Sequence, residues 1–185
     1  MRRISHSIRR QQATTTRPAI LLADKLGTPL NYVVTINFSH TEVNPSEVST
    51  VFSKVRARAN RWAVQPPKKA HSIPYKFAFM WVIENTQHIA AHWLLHIPTA
   101  RIEDFKHRLP EWLSKEVGDF NSPTTIDVRE AYNPHGFRKY MLKGIDPNFA
   151  PLYRIRHVPQ GMVVGKRFGF STNIGPNQCR IHGTK

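Results

Sequence analysis

Three histidines and a glutamate recur at short spacing within the stretch 75–98, YKFAFMWVIENTQHIAAHWLLHIP. His88, His92 and His96 are spaced four residues apart, so an extended strand places all three on one face. Glu84 ends the preceding apolar run, and a turn brings it back beside the start of this row. Imidazole suits several transition metals, and a carboxylate also suits Mg²⁺ or Mn²⁺. The pattern therefore indicates a divalent-metal site, against the alternative that each histidine is a half-buried structural residue.

Two apolar runs joined by a short polar loop must position these side chains. The run 77–83 is rich in aromatic and β-branched residues and closes on Glu84-Asn85. The run 89–97 stops at Pro98, which cannot continue a strand ladder. Together they predict a β-hairpin. The residues that alternate with the histidines are apolar and are expected to face a core: Ile89, Ala91, Trp93 and Leu95.

Tyr140 and Lys143 form a second candidate pair, spaced three residues apart on a predicted helix and therefore on one helix face. A phenol has a pKa near ~10 and attacks poorly at neutral pH unless a cation or a metal stabilises its oxyanion. Lys143 supplies such a cation. The alternative for this pair is a buried tyrosine beside a lysine whose charged end reaches solvent.

The order of these features along the chain resembles the HUH replication initiators, the Rep endonucleases of plasmids and small phages, and more distantly relaxases and related transposases. A hydrophobic strand comes first, then the hairpin with Glu84 and His92, then the helix with Tyr140. The resemblance covers about residues 30 to 150. The stretches that carry it are WVIEN, AHWLLHIP and KYMLKGID.

The resemblance implies a nickase of rolling-circle DNA replication that uses a divalent metal, Mg or Mn. In that family a helix tyrosine attacks a DNA phosphodiester, stays joined to the 5′ phosphate and leaves a free 3′ hydroxyl. The resemblance implies that Glu84 is the acidic metal ligand and His92 the second histidine. It implies that Tyr140 is the nucleophile and Lys143 its helper. The position of the first histidine is Ala90. His88 or His96 is therefore expected to supply the missing ligand.

Strand and helix patterns alternate through the rest of residues 30 to 150. The segment 30–38 predicts a strand, and an apolar stripe after Asn44-Pro45-Ser46 predicts a helix. A helix follows Pro98, with Pro110 expected to kink or split it. A strand is predicted at 124–129 and a helix at 133–143, stopped by Gly144. This order predicts an α+β fold with a central antiparallel sheet flanked by helices, in a split βαβ arrangement.

Both ends of the chain are basic and predict less regular structure. Residues 1–28 are expected to form a basic disordered arm, because residues 1–23 hold five arginines and no acidic residue. Residues 29–150 are expected to form the HUH-like nuclease domain. Residues 151–185 have no acidic residue and are rich in proline and glycine. They are expected to form a basic tail or loop extension.

The charge of the chain points to nucleic acid as a partner, since 27 lysines and arginines outnumber 12 acidic residues. The partner implied by the resemblance is single-stranded DNA, including a replication-origin hairpin, with a host helicase or polymerase as a further partner. No apolar run reaches the roughly 20 residues that cross a membrane, and the single cysteine, Cys179, fits a cytoplasmic protein. The residues expected to bind nucleic acid are Arg56, Arg58, Lys68, Lys69, Arg138, Lys139, Lys166 and Arg167.

Two other functions are compatible with the same sequence. One is a catalytically impaired nucleic-acid-binding domain on the same scaffold, and the other is an unrelated basic RNA-binding protein. The first differs from an active enzyme in whether any residue replaces the histidine absent at Ala90. The second differs in giving Tyr140 no role.

Overall fold

The computed structural model describes residues 3–65 and 75–184, which form seven strands and five α-helices. The strands are β1 (Ile4–Ser5), β2 (Tyr32–Asn37), β3 (Phe79–Asn85), β4 (Ile89–Leu95), β5 (Ile126–Glu130), β6 (Val163–Val164) and β7 (Phe168–Phe170). The α-helices are α1 (Arg10–Lys25), α2 (Val48–Val64), α3 (Ile102–Val117), α4 (Pro134–Met141) and α5 (Pro176–Ile181). Short 3₁₀ helices lie at Phe38–His40, Thr99–Arg101, Ala150–Tyr153 and Thr172–Ile174.

Five strands form one antiparallel sheet in the order β5-β2-β4-β3-β7. The predicted hairpin lies at its centre, with Trp81 of β3 opposite Trp93 of β4 and Val82 opposite His92. β1 and β6 form a separate two-stranded ribbon. The α+β fold with a central antiparallel sheet is therefore confirmed at this level of description.

The first face of the sheet packs against α2 and α3 around an aromatic core. Phe52 of α2 contacts Trp81 and Trp93 edge-on, with ring centroids 5.5 and 5.6 Å away. The apolar stripe that predicted α2 is buried here, as expected of a helix lying on a sheet. The expected split of α3 at Pro110 is wrong, because the helix runs through that residue as one element.

The second face of the sheet packs against α1, α4 and α5. Met80, Val82 and Leu94 project to this face and are buried with Phe168 of β7. The prediction that Ile89, Ala91, Trp93 and Leu95 face a core is confirmed on the first face. The second core, which includes Leu94 of the opposite row, was not expected from the sequence. Helices cover both faces of the hairpin, so apolar side chains are required on both.

The expectation of a disordered N-terminal arm is wrong for the described part of residues 1–28. Ile8, Ala19 and Leu22 of this segment are fully buried, and Ile20 is nearly so. The Gln12 side chain accepts a hydrogen bond from the Arg9 backbone N–H at 3.0 Å, which satisfies one of the free donors at the start of α1. Arg10 and Arg17 of α1 are exposed, whereas Ala13, Ala19 and Leu22 of the same helix are buried, so charge alone gave the wrong prediction.

The C-terminal segment 151–185 is also more than a tail, because β7 is an edge strand of the main sheet and α5 packs beside α1. Gly161 allows the chain to reach the sheet. Its φ is +64°, and a Cβ there would overlap the Asn85 carbonyl oxygen at the end of β3. The loop that precedes β7 is therefore fixed against the strand that carries Glu84.

Candidate active site

Glu84 and His92 meet on the second face of the sheet because their strands are neighbours. His92 lies opposite Val82, and Glu84 lies opposite Ala90, so the two side chains are diagonal on one face. His92 Nε2 is 3.5 Å from Glu84 Oε2, and both side chains are buried. The hairpin predicted from the sequence therefore brings this carboxylate and this imidazole together.

Tyr140 reaches the same place from α4. The helix begins at Pro134, and the Asn133 side chain accepts a hydrogen bond from the Gly136 N–H at 2.7 Å. The Tyr140 hydroxyl lies 3.4 Å from His92 Nε2, and the two rings meet edge-on at 5.2 Å. Phe137 stacks on the Tyr140 ring at 5.5 Å. Tyr140 is nevertheless 42% exposed, so its oxygen is positioned by packing and accessible to a substrate.

Lys143, one helical turn beyond Tyr140 in sequence, pairs with Glu84. Its Nζ is 3.0 Å from Glu84 Oε2 and 3.9 Å from the centroid of the Tyr140 ring. Burial alone would raise the pKa of Glu84, but hydrogen bonds and charge from His92 and Lys143 outweigh it and lower the pKa. Burial likewise opposes the charge on Lys143, yet Tyr140 and Glu84 raise its pKa above the ordinary value. The site therefore holds a carboxylate and an ammonium at neutral pH.

Thr35 is a member of the site that sequence reasoning missed. It lies opposite His92 on the neighbouring strand β2, and its Oγ1 is 3.1 Å from His92 Nδ1. This contact at Nδ1 fixes the orientation of the His92 ring, so that the other ring nitrogen, Nε2, points to Tyr140 and Glu84. The only available signal was a hydroxyl residue in the middle of an otherwise apolar predicted strand.

A cleft of about 470 Å³ opens beside Tyr140. Its walls are formed by β2, β4, β5 and α4, and the lining residues are Val33, Thr35, His92, Arg129, Glu130, Phe137 and Tyr140. Arg129 at the rim is also absent from the predicted set. Its side chain is mostly exposed and pairs with Asp127. The cleft gives a substrate access to the hydroxyl of Tyr140 and places a guanidinium at its edge.

His88 and His96 do not join Glu84 and His92, so the expectation that one of them replaces the missing ligand is wrong. His88 is exposed in the turn 86–88. His96 lies four residues beyond His92, about 13 Å along a strand, and its Nδ1 is 2.7 Å from the Pro29 carbonyl oxygen. A turn residue and a residue past the strand end do not follow the alternation that the even spacing assumed.

The donor set fits a hydrated divalent ion better than an all-protein cage. In residues 3–65 and 75–184, no third His, Cys, Asp or Glu completes a metal-binding group with Glu84 and His92. Mg²⁺ keeps several waters and is often held by one or two side chains together with substrate phosphates. Glu84 Oε1 is buried and has no hydrogen-bond partner among the described atoms. Glu84 and His92 can therefore hold such an ion jointly with a phosphate, while Lys143 keeps its contact with the other carboxylate oxygen.

Two of the arginines expected to bind nucleic acid are engaged within the protein instead. Arg167 is 2% exposed. It donates to the carbonyl oxygens of Gln160 at 3.2 Å and Ser5 at 3.0 Å, and also to that of Gly161. Arg58 donates from Nε and Nη2 to Glu116 Oε1 at 3.1 and 2.7 Å, which links α2 to α3. Sequence position does not distinguish such structural arginines from exposed ones.

The remaining predicted contacts fall into three groups. Arg56 is half-buried over the Trp81 ring at 4.2 Å, and burial lowers its pKa to about 10. Lys166 is exposed nearby, 5.8 Å from the same ring. Arg138 and Lys139 lie on α4, where Arg138 donates to Thr16 Oγ1 at 3.3 Å and Lys139 is exposed. The prediction for Lys68 and Lys69 lies outside the described residues.

No protein-family model matches this chain, and no curated protein sequence matches it either. Among the helices described, none is both long and apolar enough to cross a membrane.

Proposed function

We propose that this protein nicks and rejoins single-stranded DNA, with Tyr140 as the nucleophile. The observation that carries the proposal is the convergence of the Tyr140 hydroxyl, His92 and the Glu84–Lys143 pair within hydrogen-bond reach of one another. These side chains come from a strand, its hairpin partner and a helix about 50 residues later in the chain. The resemblance to the HUH family in the order of elements implies the same four residues.

The reaction follows from what each side chain can do. The Tyr140 oxygen forms a bond to phosphorus, and the bond between phosphorus and the 3′ oxygen breaks in line with it. The phenol proton passes to solvent, and the leaving 3′ oxygen takes a proton to become a free hydroxyl. The 5′ phosphate stays on Tyr140 as a phosphodiester, so attack by a 3′ hydroxyl reverses the step and joins two ends.

Lys143 and His92 support this step from fixed positions. The ammonium of Lys143 lies 3.9 Å from the Tyr140 ring centroid, where its positive charge can stabilise negative charge that develops at the attacking oxygen. The Thr35 contact holds the His92 ring in place, and the Phe137 stack holds the Tyr140 ring. A Mg²⁺ or Mn²⁺ ion held by Glu84 and His92 would polarise the phosphate oxygens. The positioning of the nucleophile therefore rests on packing already present in the chain.

A covalent adduct tests this proposal. Single-stranded oligonucleotide incubated with the protein and Mn²⁺ or Mg²⁺ should give a protein–DNA species that survives denaturation on a gel. Tyr140→Phe removes only the phenol oxygen, so it should abolish the adduct and leave oligonucleotide binding nearly unchanged. Binding without an adduct in the wild type would overturn the nicking proposal and favour a nucleic-acid-binding domain on the same scaffold.

A further inference from the structure

A basic groove lies between α1, α4 and the end of the 3₁₀ helix Ala150–Tyr153. Its volume is about 620 Å³. We call it the basic groove and define it by the six residues Thr14, Arg17, Arg138, Lys139, Tyr153 and Arg154. Four of these six are cations, and they come from three separate segments of the chain.

Among the described residues, no lining carboxylate offsets the positive charge of the basic groove. Burial lowers the pKa of Arg138, and the neighbouring charge of Arg17 lowers it further. Arg138 Nε is buried and has no hydrogen-bond partner within the described residues. Cations held together without a counter-charge repel one another, and an anionic ligand relieves that repulsion.

The walls of the basic groove also suit a nucleic-acid strand rather than a single small anion. Thr14 Oγ1 and the Tyr153 hydroxyl lie 2.6 Å apart and offer polar contacts between the cations. Leu152 beside them is 66% exposed and offers an apolar surface. Hydroxyl and cationic side chains are common contacts to phosphate oxygens. The groove, at about 620 Å³, has room for more than one phosphate group of a nucleic-acid backbone.

The position of Tyr140 connects the basic groove to the candidate active site. Successive residues on an α-helix are turned by about 100°, so Arg138 and Tyr140 project from nearly opposite sides of α4. Lys139 lies between them on the exposed side of the helix. A helix with its side chains is roughly 10 Å across. A single strand of DNA that extends from Tyr140 and crosses α4 at Lys139 therefore enters the basic groove within a short distance.

We infer that the basic groove binds the phosphate backbone of the single-stranded DNA that Tyr140 attacks, and this inference rests on the proposed function. The groove holds the strand through phosphates alone and adds affinity without reading sequence. The exposed cations of the groove are Arg17, Lys139 and Arg154. Arg17 and Arg154 did not belong to the set expected from the sequence, because their separation along the chain hides their proximity.

Salt-dependent binding tests the inference in the unreactive Tyr140→Phe protein. Arg17→Ala, Arg154→Ala and the double variant are compared by the fluorescence anisotropy of a labelled oligothymidylate. Each lost phosphate contact should weaken binding and flatten the plot of log affinity against log salt by about 0.7. The matched control is Arg61→Ala with Lys115→Ala, two exposed cations on α2 and α3. The control should keep the slope of the parent protein.

Three results would separate this inference from the proposed function. Equal slopes of log affinity against log salt for the Arg17/Arg154 double variant and the control would contradict DNA binding in the basic groove. The adduct assay would then still test the nicking function on its own. Displacement of the oligonucleotide by inorganic phosphate at matched ionic strength would also overturn it, since the groove would then be a small-anion site. Loss of slope in the double variant, together with no adduct in the wild type, would support the groove and remove the nicking function.

Discussion

At the scale of single residues, the charge of Glu84 depends on side chains that arrive from two other elements. His92 comes from the paired strand, and Lys143 comes from the chain just after α4. An ammonium at 3.0 Å stabilises the ionised carboxylate, which burial alone would disfavour. Lys143 thus contacts both the Glu84 carboxylate and the Tyr140 ring.

Removing the Lys143 charge should raise the pKa of Glu84. The folded-state pKa of Glu84 lies below its ordinary value. Its stabilising contribution is therefore complete above the unfolded-state pKa near ~4.3 and is lost as pH falls through the lowered folded-state value. In Lys143→Met this window should move to higher pH. Carbon-13 NMR titration of the Glu84 carboxyl measures the shift directly.

The control for this titration is Lys139→Met, which removes an exposed charge four residues earlier and makes no contact with Glu84. It should leave the Glu84 titration close to that of the wild type. An unchanged Glu84 pKa in Lys143→Met would show that the ion pair does not govern the carboxylate.

Ala90→His should tighten the binding of Mn²⁺. Ala90 lies directly opposite Glu84 and two residues before His92 on the same face. An imidazole there adds a third donor on rigid strands, where side chains are best held for metal binding. Isothermal titration calorimetry measures the change in Mn²⁺ affinity. Mutating a residue that only supports a metal ligand typically lowers metal affinity about 10–100-fold, so adding a ligand should raise the affinity on the order of tenfold or more.

Two further variants define what the Ala90→His result means. Glu84→Gln in the Ala90→His background should remove the gain, because it removes the carboxylate ligand. His88→Ala should leave Mn²⁺ binding unchanged, since His88 lies in the exposed turn. A less stable Ala90→His protein without tighter binding would show that this position only packs against its neighbours.

The four residues that converge were predicted from local patterns in the sequence. The alternation of the hairpin indicated Glu84 and His92, and the three-residue spacing indicated Tyr140 and Lys143, although α4 ends at Met141 and Lys143 lies in the turn that follows it. It failed for His96, whose position depends on the Pro29 carbonyl oxygen outside the strand. It failed for Arg167, whose carbonyl partners are Gln160 and Gly161 in the preceding loop and Ser5 of β1. Contacts that depend on how loops return to the sheet leave no periodic signal in the sequence.

At the scale of elements, α1 is the largest departure from expectation. Its arginines suggested an unstructured arm, yet its apolar side chains cover the second face of the sheet near α4 and α5. This layer buries Met80, Val82 and Leu94 on the face of the sheet that also carries Glu84 and His92. Helix α1 also forms one wall of the basic groove.

Leu22→Ala should destabilise the fold by about 2–5 kcal/mol, the range for removing a buried leucine from a core. Leu22 is fully buried on the inner side of α1. Gln11→Ala, on the exposed side of the same helix, should change stability by less than about 0.5 kcal/mol. Urea denaturation compares the two variants. Equal stability for both would mean that α1 does not pack on the sheet.

At the scale of the whole molecule, the formal net charge of +15 does not describe the surface that meets a partner. Arg58, Arg101 and Arg167 are occupied by a carboxylate or by backbone carbonyl oxygens. Among the described residues, no carboxylate lines the basic groove, which lies beside the helix that carries Tyr140. The arrangement of the free cations, rather than their number, thus connects the charge of the chain to the proposed reaction.

The residue joined to DNA is the most direct test of the central claim. Digestion of the adduct with trypsin separates Tyr140 from Tyr75, Tyr132 and Tyr153, because cleavage after Lys139 and Lys143 leaves Tyr140 in the peptide YMLK. Tyr132 and Tyr153 fall in the peptides 130–138 and 144–154. Mass spectrometry should find the nucleotide on YMLK alone. A nucleotide on either of the other peptides, or no adduct with any single-stranded substrate and divalent metal, would contradict the assignment of Tyr140 as the nucleophile.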